Sequence, residues 1–238
     1  MVRQLTVFCF AVVLARAEVH APSFGWVHYP DGNVRPVLGL PGAFVLGDVS
    51  IHGVTQASFS KQGGLLASAS RLMLMAPDGT IQGDFQTSEA RPVVNIGDDP
   101  LSAIAWLPST HEIVYQSADV PLVSVIVQDP LPGEVSSIER RAGKAILHLG
   151  TTGADLMNAL VSLDSGQLLS WQTAPAFETP SSRYAKVLGI DSKESQSLHV
   201  EAIGSGWVHV WQNGVGRQWA VNSNAEPAVF ELPAGGAK

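Results

Sequence analysis

Four stretches of this chain repeat one form: an apolar-alternating run, a tight glycine-containing turn and a second run. They read GWVHYPDGNVRPV, RLMLMAPDGTIQG, NALVSLDSGQLLSW and GWVHVWQNGVGRQW, with turn glycines at Gly32, Gly79, Gly166 and Gly214. Period-two alternation on either side of such a turn is the signature of a β-hairpin. The glycines lie 47, 87 and 48 residues apart, and the long gap covers two periods of about 43. A fifth member is therefore expected near residue 121, where IVYQSADVPLVSVIV stands without its glycine. An isolated hairpin is marginal in water, so units of this kind must pack on one another.

A second set of turns interleaves with the first. QASFSKQGGLLASAS, AIAWLPSTHEIVYQS, SSIERRAGKAILHLG and KVLGIDSKESQSLHV each read as strand, polar turn, strand, centred near Gly63, Thr110, Gly143 and Lys193. Arg35-Pro36-Val37-Leu38-Gly39 and Arg91-Pro92-Val93-Val94-Asn95 match each other and are taken to open the first two units. On that frame the first unit is longer by about nine residues, assigned to a surface loop over residues 42–53. Strand chemistry agrees: Leu122-Val-Ser-Val-Ile-Val127 is rich in β-branched residues. Helical periodicity appears only near residues 154–161, which also fit a strand of the frame and are read as one. With 15% charged residues, 23 Gly and 15 Pro, a coiled coil, a long-helix bundle and a charged disordered chain are excluded. The fold class expected is all-β, and a strand-only period in the forties is the spacing of propeller blades.

Two segments, PLSAIAWLPSTHEIVYQSADVPLVSVIV and GVTQASFSKQGGLLASASRLMLMAPDGTI, carry an apolar–Ala–aromatic pattern before a polar turn, at Ala105-Trp106-Leu107-Pro108 and Ala57-Ser58-Phe59-Ser60. They look like the blades of WD-repeat and YVTN-type β-propellers, in a degenerate form from an exported bacterial protein. The resemblance implies four-stranded antiparallel blades over most of residues 24–221. No Trp-Asp pair ends a blade and no Gly-His pair opens one, so the Asp–His network of eukaryotic WD repeats is not expected. The length accommodates four to five blades of about 45 residues. The last is expected to close by joining residues 24–29 to strands near 216–221 and 228–232, a device that removes unpaired edges. An open fragment of a larger propeller is the other reading.

The N-terminus has the layout of a secretory signal: Arg3, the apolar run LTVFCFAVVL over residues 5–14, and Ala15-Arg16-Ala17 as a cleavage site. Ten apolar residues rise only about 15 Å as a helix, half a hydrocarbon core. The other reading is a short buried strand. Domain boundaries follow as 1–17 signal peptide, 18–233 propeller and 234–238 tail. Cleavage takes the formal charge from −7 to −9 and removes Cys9, the only cysteine. The mature chain would then have no disulfide, no thiolate metal site and no cysteine nucleophile. Cys9 lies mid-run, where a lipid-modified cysteine is not expected. Localisation is read as periplasmic or extracellular, with no membrane span after cleavage. The acidic charge, with no Lys/Arg run, excludes nucleic acid as partner.

Catalytic motifs fail on inspection. Gly143-Lys144 has Ile138 where a phosphate loop needs glycine, Gly204-x-Gly206 and Gly214-x-Gly216 lack a third glycine, and no G-x-S-x-G is present. Asp98-Asp99 is the densest acidic point and reads as a solvated turn. The one suggestive constellation lies in the last repeat. A Gly204-Ser205-Gly206 loop pairs residues whose numbers sum to about 410, or 408 with a small shift. Alternation then puts Trp207, His209 and Trp211 on one face, with His199 and Glu201 able to share it. Trp219 adds a third indole nearby. Such a group suits a metal or a stacking platform for a sugar; the competing reading is an inter-blade layer. No metal or cofactor is assigned. The leading function is an exported, non-catalytic binding or structural propeller with a protein or glycan partner at Trp207, His209, Trp211, His199 and Trp219. If so, Trp207 and Trp211 should be partly exposed. The alternative is an exported hydrolase or lyase using channel-facing carboxylates, with Asp48, Asp98 and Asp99 placed before second strands.

Overall fold

Alternating runs become strands throughout a computed structural model that describes residues 23–40, 43–150, 156–174, 180–191, 193–204, 206–212, 216–222 and 227–233. The first sheet has three strands, β1 (Ser23–His28), β2 (Val34–Leu40) and β3 (Ala43–Leu46). The second comprises β4 (Val54–Ser60), β5 (Gly63–Ser68), β6 (Arg71–Met75) and β7 (Ile81–Gln86). The third runs β8 (Val93–Asn95), β9 (Ile104–Leu107), β10 (Glu112–Tyr115) and β11 (Val123–Ile126). The fourth is β12 (Val135–Arg141), β13 (Lys144–Leu149), β14 (Leu156–Ser162) and β15 (Leu168–Ala174). After helix α1 (Pro180–Leu188), the fifth holds β16 (Leu198–Gly204), β17 (Trp207–Gln212), β18 (Gln218–Asn222) and β19 (Val229–Glu231).

Every pairing is antiparallel and each sheet uses strands consecutive in sequence. First strands face one another: β1 meets β4 and β16, β4 meets β8 and β16, and β8 meets β12. Antiparallel meanders with their first strands gathered inside are the blades of a propeller. The expected all-β propeller architecture is present, with five sheets among the described residues where four to five blades were expected, and residues 156–162 form the strand read from the frame.

Buried clusters lie between the sheets. Trp26, Phe59 and Met75 join sheets one and two; Leu65, Leu74 and Val114 join two and three; Trp106, Ile138 and Leu147 join three and four. Val27, Tyr29, Ile203 and Trp207 join one and five. The far face of sheet five is filled differently: Tyr184 and Ala185 of α1 pack on Leu198, Val210, Trp219 and Val221. Across from it, alternation turns Ala145, Leu147 and Leu149 of β13 into the cluster with sheet three and leaves Lys144, Ile146 and His148 on the other side. Among the described residues no buried cluster spans sheets four and five. The packing order is therefore four, three, two, one, five, with α1 at the seam.

Three expectations are corrected. The last blade is not closed by both termini: β19 supplies its outer strand, and the N-terminal strand opens a blade of its own. The cause is local. Tyr29 N–H to Asn33 O and Gly32 N–H to Tyr29 O, both 2.9 Å, close a tight β1–β2 turn, with Gly32 at φ +79°. Such short closure costs far less chain entropy than joining the ends. Second, the matching RPV segments are not equivalent, since the first lies on β2 and the second leads into β8. The first unit is short of a strand, and residues 43–46 of the expected loop form β3. Third, KVLG is not a strand but the end of α1. Pro at the first helical position and Gly189 in the left-handed region (φ +67°) after the last turn mark its ends, and Tyr184, Ala185 and Leu188 share one face.

Candidate functional site

The inner strands line an open cavity of about 1060 Å³ whose wall includes His28, Asp31, Asn95, Glu139, His199, Glu201 and Trp211. Ser58 of β4, Asn95 of β8 and the serine pair Ser136-Ser137 of β12 add neutral polar groups. Among the described lining residues there is no Lys or Arg.

His28, at the end of β1, ties three sheets together. Its Nε2 lies 3.0 Å from the Val54 carbonyl on β4, and its Nδ1 lies 3.1 Å from Glu201 Oε1 on β16. A carbonyl only accepts, so Nε2 carries a proton and donates. Nδ1 and the Glu201 carboxyl then share a second proton between them. Burial opposes charge on His28, but the hydrogen bond and charge of Glu201 and the Val54 carbonyl outweigh it and raise its pKa. Burial raises the Glu201 pKa as well, against the pull of His28. Glu201 Oε2 is buried without a hydrogen-bond partner.

The expected β16–β17 register is realised: His199 pairs with Trp211 and Glu201 with His209. The His199 ring stacks on Trp211 at 5.0 Å and 13°, and His199 is itself exposed at the cavity wall. Burial first, and then the His28 charge, lower the His199 pKa. The indole also meets His209, tilted by 30° at 4.8 Å. His209 is fully buried; its Nε2 is 2.9 Å from Gln218 Oε1, while Nδ1 makes no hydrogen bond. Burial pushes its pKa down to about 4.

The tryptophans divide. Trp207 is 6% exposed and wedged between blades, edge-on to Phe24 at 5.4 Å and Phe44 at 5.5 Å. Trp219 sits on the opposite face of the sheet, beneath α1 and 5.0 Å from the Arg217 guanidinium carbon. Neither is the partly exposed ring that a surface platform requires. Trp211 is also only 6% exposed, so the partial exposure expected of Trp207 and Trp211 is met by neither, although Trp211 borders the cavity. The carboxylates change identity too: Asp48, Asp98 and Asp99 lie outside the cavity wall, where Asp31, Glu139 and Glu201 stand instead. Asp98 accepts from the Lys61 N–H at 3.3 Å on an exposed turn, the structural role first read for it. Sequence reasoning missed His28, Asp31, Asn95 and Glu139; they come from three different sheets, and no local pattern connects them. Among the described residues no group of three or more His, Cys, Asp or Glu is arranged to hold a metal ion.

No protein-family model matches the chain, and no curated protein matches it. Solved structures with a similar course include Citrobacter koseri AztD, at 12% identity, covering 92% of this chain and 59% of that one, TM-score 0.38. Selenomethionine-substituted virginiamycin B lyase from Staphylococcus aureus is 11% identical, covering 91% of this chain and 71% of that one, TM-score 0.39. The Neurospora crassa Pan2 WD40 domain is 9% identical, covering 89% of this chain and 76% of that one, TM-score 0.38. The chain thus spans about three fifths of the length of AztD. Among the described residues no helix is long and apolar enough to cross a membrane.

Proposed function

We propose that this protein is a non-catalytic binding propeller whose partner, a protein segment or a glycan, is met in the axial cavity. One observation carries the reading: an exposed imidazole, stacked on a buried indole, stands on the wall of a large cavity lined about equally by polar and apolar surface. Stacked rings of this kind offer contact area at small entropic cost. The site narrows from the five residues read in the sequence to His199 and Trp211, joined by His28 and Glu201. The hydrolytic alternative would have to use other carboxylates than those read in the sequence, since Asp31, Glu139 and Glu201 line the cavity and Asp48, Asp98 and Asp99 do not.

Native mass spectrometry of the protein purified from its own source tests this. A bound mass is expected on the wild type, lost in His199→Ala and kept in Trp171→Ser, a change on the outer strand β15 where Trp171 is 36% exposed. A mass that survives His199→Ala and disappears with Trp171→Ser would place binding outside the cavity.

Export is proposed with it. The signal layout of residues 1–17 lies outside the described residues, and the cleavage pattern at Ala15-Arg16-Ala17 supports the reading. The mature N-terminus is expected at Glu18. Intact-mass measurement of the protein outside the cytoplasm showing residues 1–17 still attached would remove both signal and localisation.

A further inference from the structure

We propose that the axial cavity takes a neutral sugar residue or short neutral oligosaccharide, an inference that rests on the cavity-binding reading above and names its ligand class. Charge balance decides between ligand classes. An anionic ligand needs a cation on the wall, and the described lining residues include no Lys or Arg. A cationic ligand needs a carboxylate with charge to spare. Glu201 faces His28 at 3.1 Å. Glu139 pairs with Arg141 at 2.9 Å and has His148 Nε2 at 3.5 Å. Asp31 is exposed to solvent and accepts from the Asn33 main-chain N–H at 3.0 Å and side-chain amide at 2.7 Å; it keeps its charge, which solvent and salt screen. No buried, unbalanced charge of either sign remains to be matched.

What remains on the wall is neutral and two-sided. Ser137 can both donate and accept, Ser58 accepts from the Ile96 N–H at 3.2 Å and keeps its own proton to donate, Ser136 donates to the His148 carbonyl at 3.0 Å and still accepts, Gln56 and Asn95 offer amide groups, and the carboxyls still accept. Asn95 spends one donor on the Ile138 carbonyl at 2.7 Å, which fixes its side chain between β8 and β12. Sugar hydroxyls also donate and accept at once, so they suit a wall of this kind where a lone charge does not. The His199 ring on Trp211 supplies the flat face on which the C–H side of a pyranose rests. At about 1060 Å³, the cavity is at the upper end of small-ligand sites, roughly 300–1,000 Å³, with room for more than one ring. β12 brings Ser136 and Ser137 to the cavity wall and β16 brings His199, so a ligand that reaches both strands would touch the two serines and the imidazole.

The test is a titration of the full-length mature protein with neutral disaccharides (maltose, cellobiose, lactose and N,N′-diacetylchitobiose), followed by the ring resonances of His199 and of His28, which also lines the cavity and remains the reporter in His199→Ala. Glucuronic acid, glucose 6-phosphate and 1,4-diaminobutane serve as charged probes. Saturable binding of at least one neutral disaccharide is expected, at least tenfold tighter than any charged probe and little changed by salt. It should weaken tenfold or more in His199→Ala and in Ser137→Ala, both of which are expected to keep the wild-type melt. Binding of a charged probe at His199 with no response to any disaccharide would overturn the sugar assignment and leave the cavity reading standing. No response to any probe, with a native bound mass that survives His199→Ala, would overturn both.

Discussion

Replacing Trp207 by Ala is expected to destabilise the fold by about 3–5 kcal/mol, the range for deleting a large buried aromatic. The indole fills the interface between the first and last blades against Phe24, Phe44 and Phe230, in the same cluster as Val27, Tyr29 and Ile203. Nothing nearby can collapse cheaply. Gly25 on β1 already lies so close to the Ile203 carbonyl that an added Cβ would stand 2.4 Å from that oxygen. Denaturant unfolding measures the loss, and His199→Ala, at an exposed position, should move the midpoint little. A Trp207→Ala protein of near wild-type stability would mean that blades one and five do not share this cluster.

Acidification from about pH 6.5 to pH 4 is expected to cost the fold about 3 kcal/mol through His209 alone. In the folded state burial holds this imidazole neutral, with its pKa down at about 4, whereas the unfolded ring titrates near 6.5. The unfolded chain therefore binds a proton in that window that the folded chain excludes, and stability falls as the pH drops. His28 works in the opposite sense. Its folded pKa is raised, so its contribution is complete below 6.5 and is lost as the pH rises through the folded value. Glu201, also raised, likewise favours folding at low pH and loses that contribution as the pH rises above its unfolded value. The difference between wild type and His209→Gln isolates the His209 contribution. The variant should lack its acid limb, and an unchanged slope between pH 6.5 and 4 would assign that limb to another group.

The hairpins were legible because their signals are local. Alternation and turn glycines marked β1–β2, β6–β7 and β14–β15, and a short loop fixed the β16–β17 register residue for residue. Alternation also says which residues share a face, but not what that face meets. Trp207, His209 and Trp211 do lie on one side of β17, yet one end of that side is sealed by blade one and the other reaches the cavity. The phase of the repeat was misread because five residues of RPV-type sequence serve a second strand in one place and a first strand in another. The cavity was hardest to foresee. His28, Asn95, Glu139 and Glu201 lie on four different blades and converge only when their first strands gather inside. Helix α1 left a signal, Pro180 and Gly189 bracketing one turn-periodic apolar face, that strand-only repetition on either side obscured.

The location of the binding site is tested most directly by histidine ring NMR of the mature protein, before and after adding back the compound released from the natively purified form. His28 and His199 line the cavity, whereas His52 bonds to Asn33 at an exposed turn and His111 stacks on Trp106 away from the cavity wall. Saturable shifts at His28 and His199, with His52 and His111 stationary, are the expected result. Shifts at His52 or His111 while His28 and His199 stay fixed would contradict binding in the cavity.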